Sequence, residues 1–405
     1  MIATLCQRNF ALLWFAGLIS MIGDWVLFIA LPIYTYNLTR SSLATGIMFM
    51  AGTLPRILLG SIAGVFVDRW DRQRTMVIAD VSRALLLLLL LLVRSPESIW
   101  IIYLVAFLQA TISQFFGPAE NALLPRLVDE SQLVAANSLN ILNNNLARLG
   151  GPALGGLMLA SFGFRNVVII DAISFLLSGI MIAFIVQPSL VAEKTDEVTA
   201  QPNLWQGWLS GLRLIWNSRV VSVIFLVIGI AGIAEGLFNV SFVIFIRQKL
   251  GGDALEFGWL TSAQAIGGLI GGLLIGGAGN RIQPNRMTGL LAVNGLLILI
   301  LVNFPSLWLS IALLLLAGVP VVGYFVAVDT LLQQHVADQY RGRVFGALAT
   351  SAAILVLFGQ GLAGRLGDAF GIVPLLNLKG ILDIVAGLLA FILLYRISAT
   401  QPHHI

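Results

Sequence analysis

The chain has 405 residues, 58% of them hydrophobic and 10% charged, whereas a soluble domain is about 45–50% apolar and about 25% charged. So few Asp, Glu, Lys and Arg cannot clothe a water-facing surface, and most of the exterior must meet lipid. The formal net charge of +4 comes from arginines set in short loops between apolar runs, which excludes a continuous nucleic-acid-binding patch. Cys6, the one cysteine, excludes disulfides, thiolate zinc sites and iron–sulfur clusters, and His335, His403 and His404 offer no buried pair of haem ligands. No cofactor or metal is expected.

A membrane helix needs about 20 mostly apolar residues. Cutting the chain at its charged or Pro/Gly/Asn-rich punctuation predicts about twelve spans, at 10–36, 43–67, 75–93, 99–119, 137–162, 166–187, 220–246, 255–279, 286–303, 307–333, 344–364 and 373–395. The first, Phe10 to Tyr36, is longer than a signal-peptide apolar region and has no small-residue cleavage site after it, so it reads as retained. An even number of spans puts both termini on one side. Loops on that side hold most of the cations, among them Arg8, Arg69, Arg72, Arg74, Arg126, Lys194, Arg213, Arg341 and Arg343. The opposite loops hold Arg40, Arg94, Arg165, Arg247, Lys249 and Arg365, so the positive-inside rule makes both termini cytoplasmic.

The longest polar stretch, Gln187 to Asn203, separates six spans from six and contains Glu193, Lys194, Asp196 and Glu197. The expected organisation is an N-terminal six-helix bundle at 1–187, a cytoplasmic linker at 188–218 and a C-terminal six-helix bundle at 219–405. Within the linker, Leu204, Trp205, Trp208, Leu209, Leu212, Ile215 and Trp216 recur at helical spacing, either as an interfacial amphipathic helix or as a lead-in to the seventh span. The halves also read as repeats. A shift of about 210 residues lays Asp24 over Glu235, Gly60 over Gly272, Gly64 over Gly276, Arg69 over Arg281, Glu120 over Asp329 and Asp129 over Asp338. The expected fold class is therefore an all-α membrane protein of two pseudo-symmetric six-helix bundles, an architecture used for alternating access.

The most specific local signal is Gly64-Val-Phe-Val-Asp68-Arg69-Trp-Asp71-Arg72-Gln-Arg74, in the expected cytoplasmic loop after the second span. Here the sequence resembles the major facilitator superfamily. The resemblance implies that Gly64 permits close helix packing, and that Asp68, Arg69, Arg72 and Arg74 form a latch that holds the halves in one state and releases them in the other. The competing account is that these arginines only obey the positive-inside rule. The echo at Gly276 and Arg281 has Asn280 in place of the acid, which implies a weaker second latch.

Resemblance extends to the drug and siderophore exporter branch that includes macrolide efflux proteins and enterobactin exporters. It is carried by Asn9-Phe10-Ala-Leu-Leu-Trp14, by Gly117-Pro118-Ala119 through Leu124-Pro125, by Ala136-Asn137 and by Gly342-Arg343-Val344-Phe345. Gly151-Pro152-Ala-Leu-Gly155-Gly156 looks like the core of the motif of proton-exchanging exporters, although Ala147 and Ser138 stand where that motif has further glycines. A kinked packing seam without an ion role is the other account, because Pro152 frees a carbonyl and small residues permit tight contact.

Ionisable residues inside apolar spans cost about 2.5–3.5 kcal/mol each on insertion scales unless they face a cavity or a partner. Asp24 and Arg56 lie at similar depth in the first two spans and are placed to pair, either as a structural ion pair or as one that protonation of Asp24 breaks. Glu235 takes the repeat-related place in the seventh span with Gly268 where an arginine would match Arg56. It therefore suits a proton carrier or a contact for cationic cargo. Arg148, beside Asn143, Asn144 and Asn145, either binds an anionic group or satisfies a neighbouring helix. Asp80 with Arg83 and Lys379 with Asp383 read as self-compensating pairs, and Glu120 and Asp329 as cytoplasmic gate contacts, with Arg126 and Arg341, or as solvated helix ends.

No Gly-Lys-Ser/Thr phosphate loop is present, so no ATP-driven pump is expected, and no nucleophile–base or HExxH constellation suggests an enzyme. A carboxylate-only intramembrane enzyme and a channel are the outlying alternatives. The sequence expectation is a monomeric bacterial inner-membrane exporter that exchanges protons for a small amphipathic compound, or a lysophospholipid facilitator or flippase of the same fold. Membrane lipid is its other partner.

Overall fold

The computed structural model describes residues 2–60, 62–186, 218–278 and 283–400. The expected linker, apart from Ser218, lies outside the described residues, as do Asn280 and Arg281 of the second latch. Every regular element among the described residues is helical. The principal helices are α1 (Arg8–Thr39), α2 (Ser42–Leu59), α3 (Arg72–Leu88), α4 (Ile99–Leu123), α5 (Leu133–Ala183), α6 (Arg219–Lys249), α7 (Ala254–Ala278), α8 (Leu290–Asn303), α9 (Leu307–His335), α10 (Asp338–Phe370) and α11 (Ile372–Thr400). Among the described residues ten are long and apolar enough to cross a membrane, and α8 is a shorter apolar helix of 14 residues. The chain is a multi-pass membrane protein.

Two sequence boundaries move. The expected span 43–67 is broken after Leu59, and a separate short helix, Ala63–Arg69, carries Asp68 and Arg69. Pro55 has already removed one backbone donor from α2, and the Gly60 amide still closes on Arg56 O before the turn. The expected span 286–303 divides in the same way into Pro284–Met287 and α8. Conversely α5 runs through the expected fifth and sixth segments, interrupted only at Gly163, whose φ of 73° and ψ of 165° are not helical.

Such positive φ values are open to glycine and costly elsewhere. Among the described residues they occur at Arg40, Gly163, Gly251 and Gly371. Arg40 and Gly251 end α1 and α6 and stand 211 residues apart; Gly163 and Gly371 stand 208 apart. The spacing detected in the side chains is thus repeated in the backbone breaks.

The chain divides into two compact units: Met1–Arg40, Met48–Thr199 and Asp253–Ser262 in one, and Ser41–Ile47, Ala200–Gly252 and Ala263–Ile405 in the other. In the first unit α1 lies along α5, and the core joins Val26, Ala30, Leu87, Val105, Val167 and Phe175 to a second cluster around Phe10, Leu13, Met76, Leu123 and Ile182. In the second, Val220, Ile224, Leu291, Leu331, Ala386 and Leu394 pack together. Ile78, Leu85, Leu92, Trp100, Leu273, Leu274, Leu316 and Phe358 point outward and exposed, the apolar exterior that composition demands.

Candidate functional site

Each unit encloses polar side chains in its apolar interior. In the first, Arg83 of α3 extends to Asp24 of α1 and forms an ion pair with it. Its Nε donates to Gln109 Oε1 of α4 at 2.9 Å, Gln109 Nε2 donates back to the Arg83 carbonyl at 2.8 Å, and the guanidinium sits 4.1 Å from the centre of the Phe175 ring. Arg83 is therefore oriented by two neighbouring helices and a ring. Its side chain is 6% exposed and that of Asp24 is 44% exposed, so the pair joins the buried interior to an accessible surface. This corrects the pairing of Asp24 with Arg56: Arg56 is exposed, and Arg83 reaches Asp24 instead. Asp80, expected to pair with Arg83, makes no ion pair with it: its carboxyl lies beside the Ser178 hydroxyl, and Arg83 acts on it only electrostatically.

Asp171, in the part of α5 beyond Gly163, escaped sequence reasoning. It is 1% exposed, Ser174 Oγ donates to its Oδ1 at 3.2 Å, and its Oδ2 has no partner among the described residues. The charges of Asp24 and Arg83 both act on it. The available signal was the spacing of 212 residues from Asp383, which extends the repeat register.

In the second unit, Lys379 and Asp383 of α11 bond at 2.7 Å and are 5% and 3% exposed. Asn294 Nδ2 of α8 donates to the same Asp383 Oδ2 at 2.7 Å, and the ammonium lies 5.1 Å from the Phe238 ring centre. This pair has the i,i+4 form expected for it. Glu235 of α6 is exposed yet within electrostatic reach of Lys379 and Asp383.

Arg148 is exposed on α5 together with Asn144 and Asn145, whereas Asn143 turns inward and donates to Trp14 O at 2.8 Å. The Gly151-Pro152 segment is a close seam inside the first unit. Added Cβ atoms at Gly151, Gly155 and Gly156 would lie 2.5 Å from Trp25 Cβ, 2.8 Å from Val26 Cα and 2.4 Å from Ala254 O. The Ala153 amide also donates to Ser262 Oγ at 3.1 Å.

In the loop motif, Asp71 caps α3 by accepting from the Arg74 amide at 2.7 Å, an N-cap carboxylate at the positive end of a helix. Arg72 donates to Ala122 O near the C-terminus of α4 at 3.5 Å, with Asp68, Asp71 and Arg126 acting on it electrostatically. Asp68, Arg69 and Arg74 are exposed, and a Cβ at Gly64 would meet nothing within 4 Å, so close packing is not its contribution here. Glu120 is buried against Gly17 rather than joined to Arg126, and Asp329 is exposed. Arg341 bonds Asp338 at 2.7 Å and the Gln333 carbonyl at 2.6 Å, at the end of α9.

The family profile described as transmembrane secretion effector matches residues 1–402. The multidrug efflux pump Tap of Mycolicibacterium fortuitum is 29% identical over 374 residues, 89% of this chain and 90% of that protein. Macrolide efflux protein A of Streptococcus pyogenes is 24% identical over 384 residues, 93% of this chain and 94% of that protein. Among solved structures, a bacterial homologue of the human lysosomal transporter Spinster superposes with a TM-score of 0.75 at 13% identity, over 99% of each chain, a likeness of fold alone.

Proposed function

As the chain belongs to the transmembrane secretion effector family of major facilitator transporters, we propose that it exports small amphipathic compounds, drug-like or macrolide-like, in exchange for protons. The members it resembles are transporters and not enzymes, and two carry efflux in their names. The observation that carries proton exchange is the Asp24–Arg83 ion pair, because one proton on Asp24 removes half of an interaction that holds α1 to α3. Cargo and proton then compete for an accessible carboxylate at mid-span.

We further propose twelve spans in two bundles, 1–187 and 219–405. Gly163 divides α5 into two spans and α8 with Pro284–Met287 makes a short one. Both termini lie in the cytoplasm of a bacterial inner membrane, on the cation-rich side. Arg56 and Arg148 are exposed polar groups suited to cargo contact, Glu235 stands outside the exchange, and Asp68, Arg69, Arg72 and Arg74 suit a latch. In the seam, Gly151 and Gly155 fix α5 against α1 so that Asp24 and Arg83 keep their register, while Pro152 and Gly156 meet α7. Glu120 and Asp329 are the gate positions. The unit of function is the monomer.

The test is a pH-dye assay in energised inside-out vesicles with macrolides, lipophilic cations, catecholate siderophores and lysolipids. The expected result is dye recovery with one class in wild type and none in Asp24→Asn. Protonophore-insensitive movement of a labelled lysolipid, with no dye response to any compound, would overturn antiport in favour of a lipid facilitator or flippase.

A further inference from the structure

Asp171 is a buried carboxyl that the exchange at Asp24 does not use, and its surroundings are built for it. A Cβ placed at Gly23 would lie 2.0 Å from Asp171 Oδ1 and 2.6 Å from Ser174 Oγ. The carboxyl thus occupies a notch in α1 that only a residue without a side chain leaves open, one residue before Asp24. The charged groups that act on it are Asp24 of α1 and Arg83 of α3. Those two act on Asp80 of α3 as well, as does Glu120 of α4. Gln109 and Phe175 fix the guanidinium, and Ser174 and Ser178 supply the neighbouring hydroxyls.

Charge balance restricts this group. Arg83 offers one positive charge to the three carboxyls Asp24, Asp80 and Asp171, and a bare carboxylate buried without a partner costs several kcal/mol or more. The interior therefore supports one carboxylate at a time. In the present arrangement Arg83 bonds Asp24, and Asp171 Oδ2 is left without a donor.

We propose that Asp171 is the inner station of a proton relay, in which Arg83 passes from Asp24 to Asp171 when Asp24 is protonated. The inference rests on the antiport function above. In the step, a proton from the accessible side bonds to Asp24 and the Asp24–Arg83 ion pair breaks. Asp171 releases its own proton to water on the side opposite the one that protonated Asp24, and its carboxylate receives Arg83. One proton enters, one leaves, and the net charge of the cluster is unchanged. The equivalent place in the second unit, Asp383, already holds its cation through Lys379 on the same helix and cannot exchange it between helices.

The test is labelling with a hydrophobic carbodiimide, which modifies neutral carboxyls, on the full chain in liposomes, with site assignment by mass spectrometry. In wild type Asp171 should be labelled. In Asp24→Asn, which imitates protonated Asp24, Arg83 is released to Asp171 and labelling there should fall several-fold. Equal labelling in both, or none in either, would overturn the relay. In the vesicle assay Asp171→Asn should bind cargo and lose proton movement. Proton movement in correctly inserted Asp171→Asn equal to wild type would sink the relay and leave antiport standing, whereas silence in wild type would sink antiport itself. If Asp171→Asn fails to insert, the labelling of wild type and Asp24→Asn still decides.

Discussion

The two polar interiors stand in repeat-related places and are wired differently. Asp24 and Glu235, Arg83 and Asn294, and Asp171 and Asp383 are each 211 or 212 residues apart. In the first unit the cation on α3 bonds a carboxylate on α1, so two helices are held by one ion pair that a proton can release. In the second unit the arginine has become Asn294, the cation has moved to Lys379, and the pair closes within one turn of α11. A pair on one helix can stabilise that helix and its neighbour without reporting their separation. On the proposed antiport, the same repeat-related position serves a switch in one half and a fixture in the other.

The largest effect that tests this contrast is on coupling. Asp24→Asn should reduce cargo-driven proton movement by about 10²–10⁴-fold, the range for losing a positioned proton-transfer group, while Glu235→Gln should retain most of it. Equal losses would erase the distinction. Next is stability: Lys379→Met alone should destabilise the second unit by about 3–5 kcal/mol, whereas Lys379→Met with Asp383→Leu should recover most of that, read as thermal stability in detergent. A double variant that melts normally yet fails to transport would make the fixture a functional site. Smaller again, Gly155→Val should cost about 1–3 kcal/mol by overpacking α5 against Val26, and should impair coupling more than Gly64→Val, whose surroundings are open. The smallest effect is expected of Arg72→Ala, which removes a single contact to the end of α4. Turnover should slow by a factor of a few with protein level unchanged.

Membrane residence was legible because apolar length is a property of sequence order, and the spacing of Asp24 from Glu235 is one that the backbone breaks at Arg40 and Gly251 share. The breaks at Gly60 and at residues 288–289 were not, since hydropathy continues through them and only the backbone turns. The candidate site was half legible. Asp24 stood out as a charge in an apolar run, but its partner was assigned by matching depth along neighbouring spans, and depth does not say which face a residue occupies. Arg83 lies on the face of α3 turned to α1, while Arg56 is exposed and makes no ion pair with Asp24. Asp171 was overlooked because nothing local to it signals function. Its notch is made by Gly23, 148 positions earlier in the chain, and sequence spacing does not reveal such a fit.

The central claim, that protons are exchanged through the first unit and not the second, is most directly tested by proton release on cargo binding. Purified protein in weakly buffered detergent solution would be mixed with the compound class found in the vesicle assay, and released protons counted for wild type, Asp24→Asn and Glu235→Gln. The account predicts release from wild type and Glu235→Gln and none from Asp24→Asn. Undiminished release from Asp24→Asn, with loss in Glu235→Gln, would contradict it and move the coupling site to the second unit.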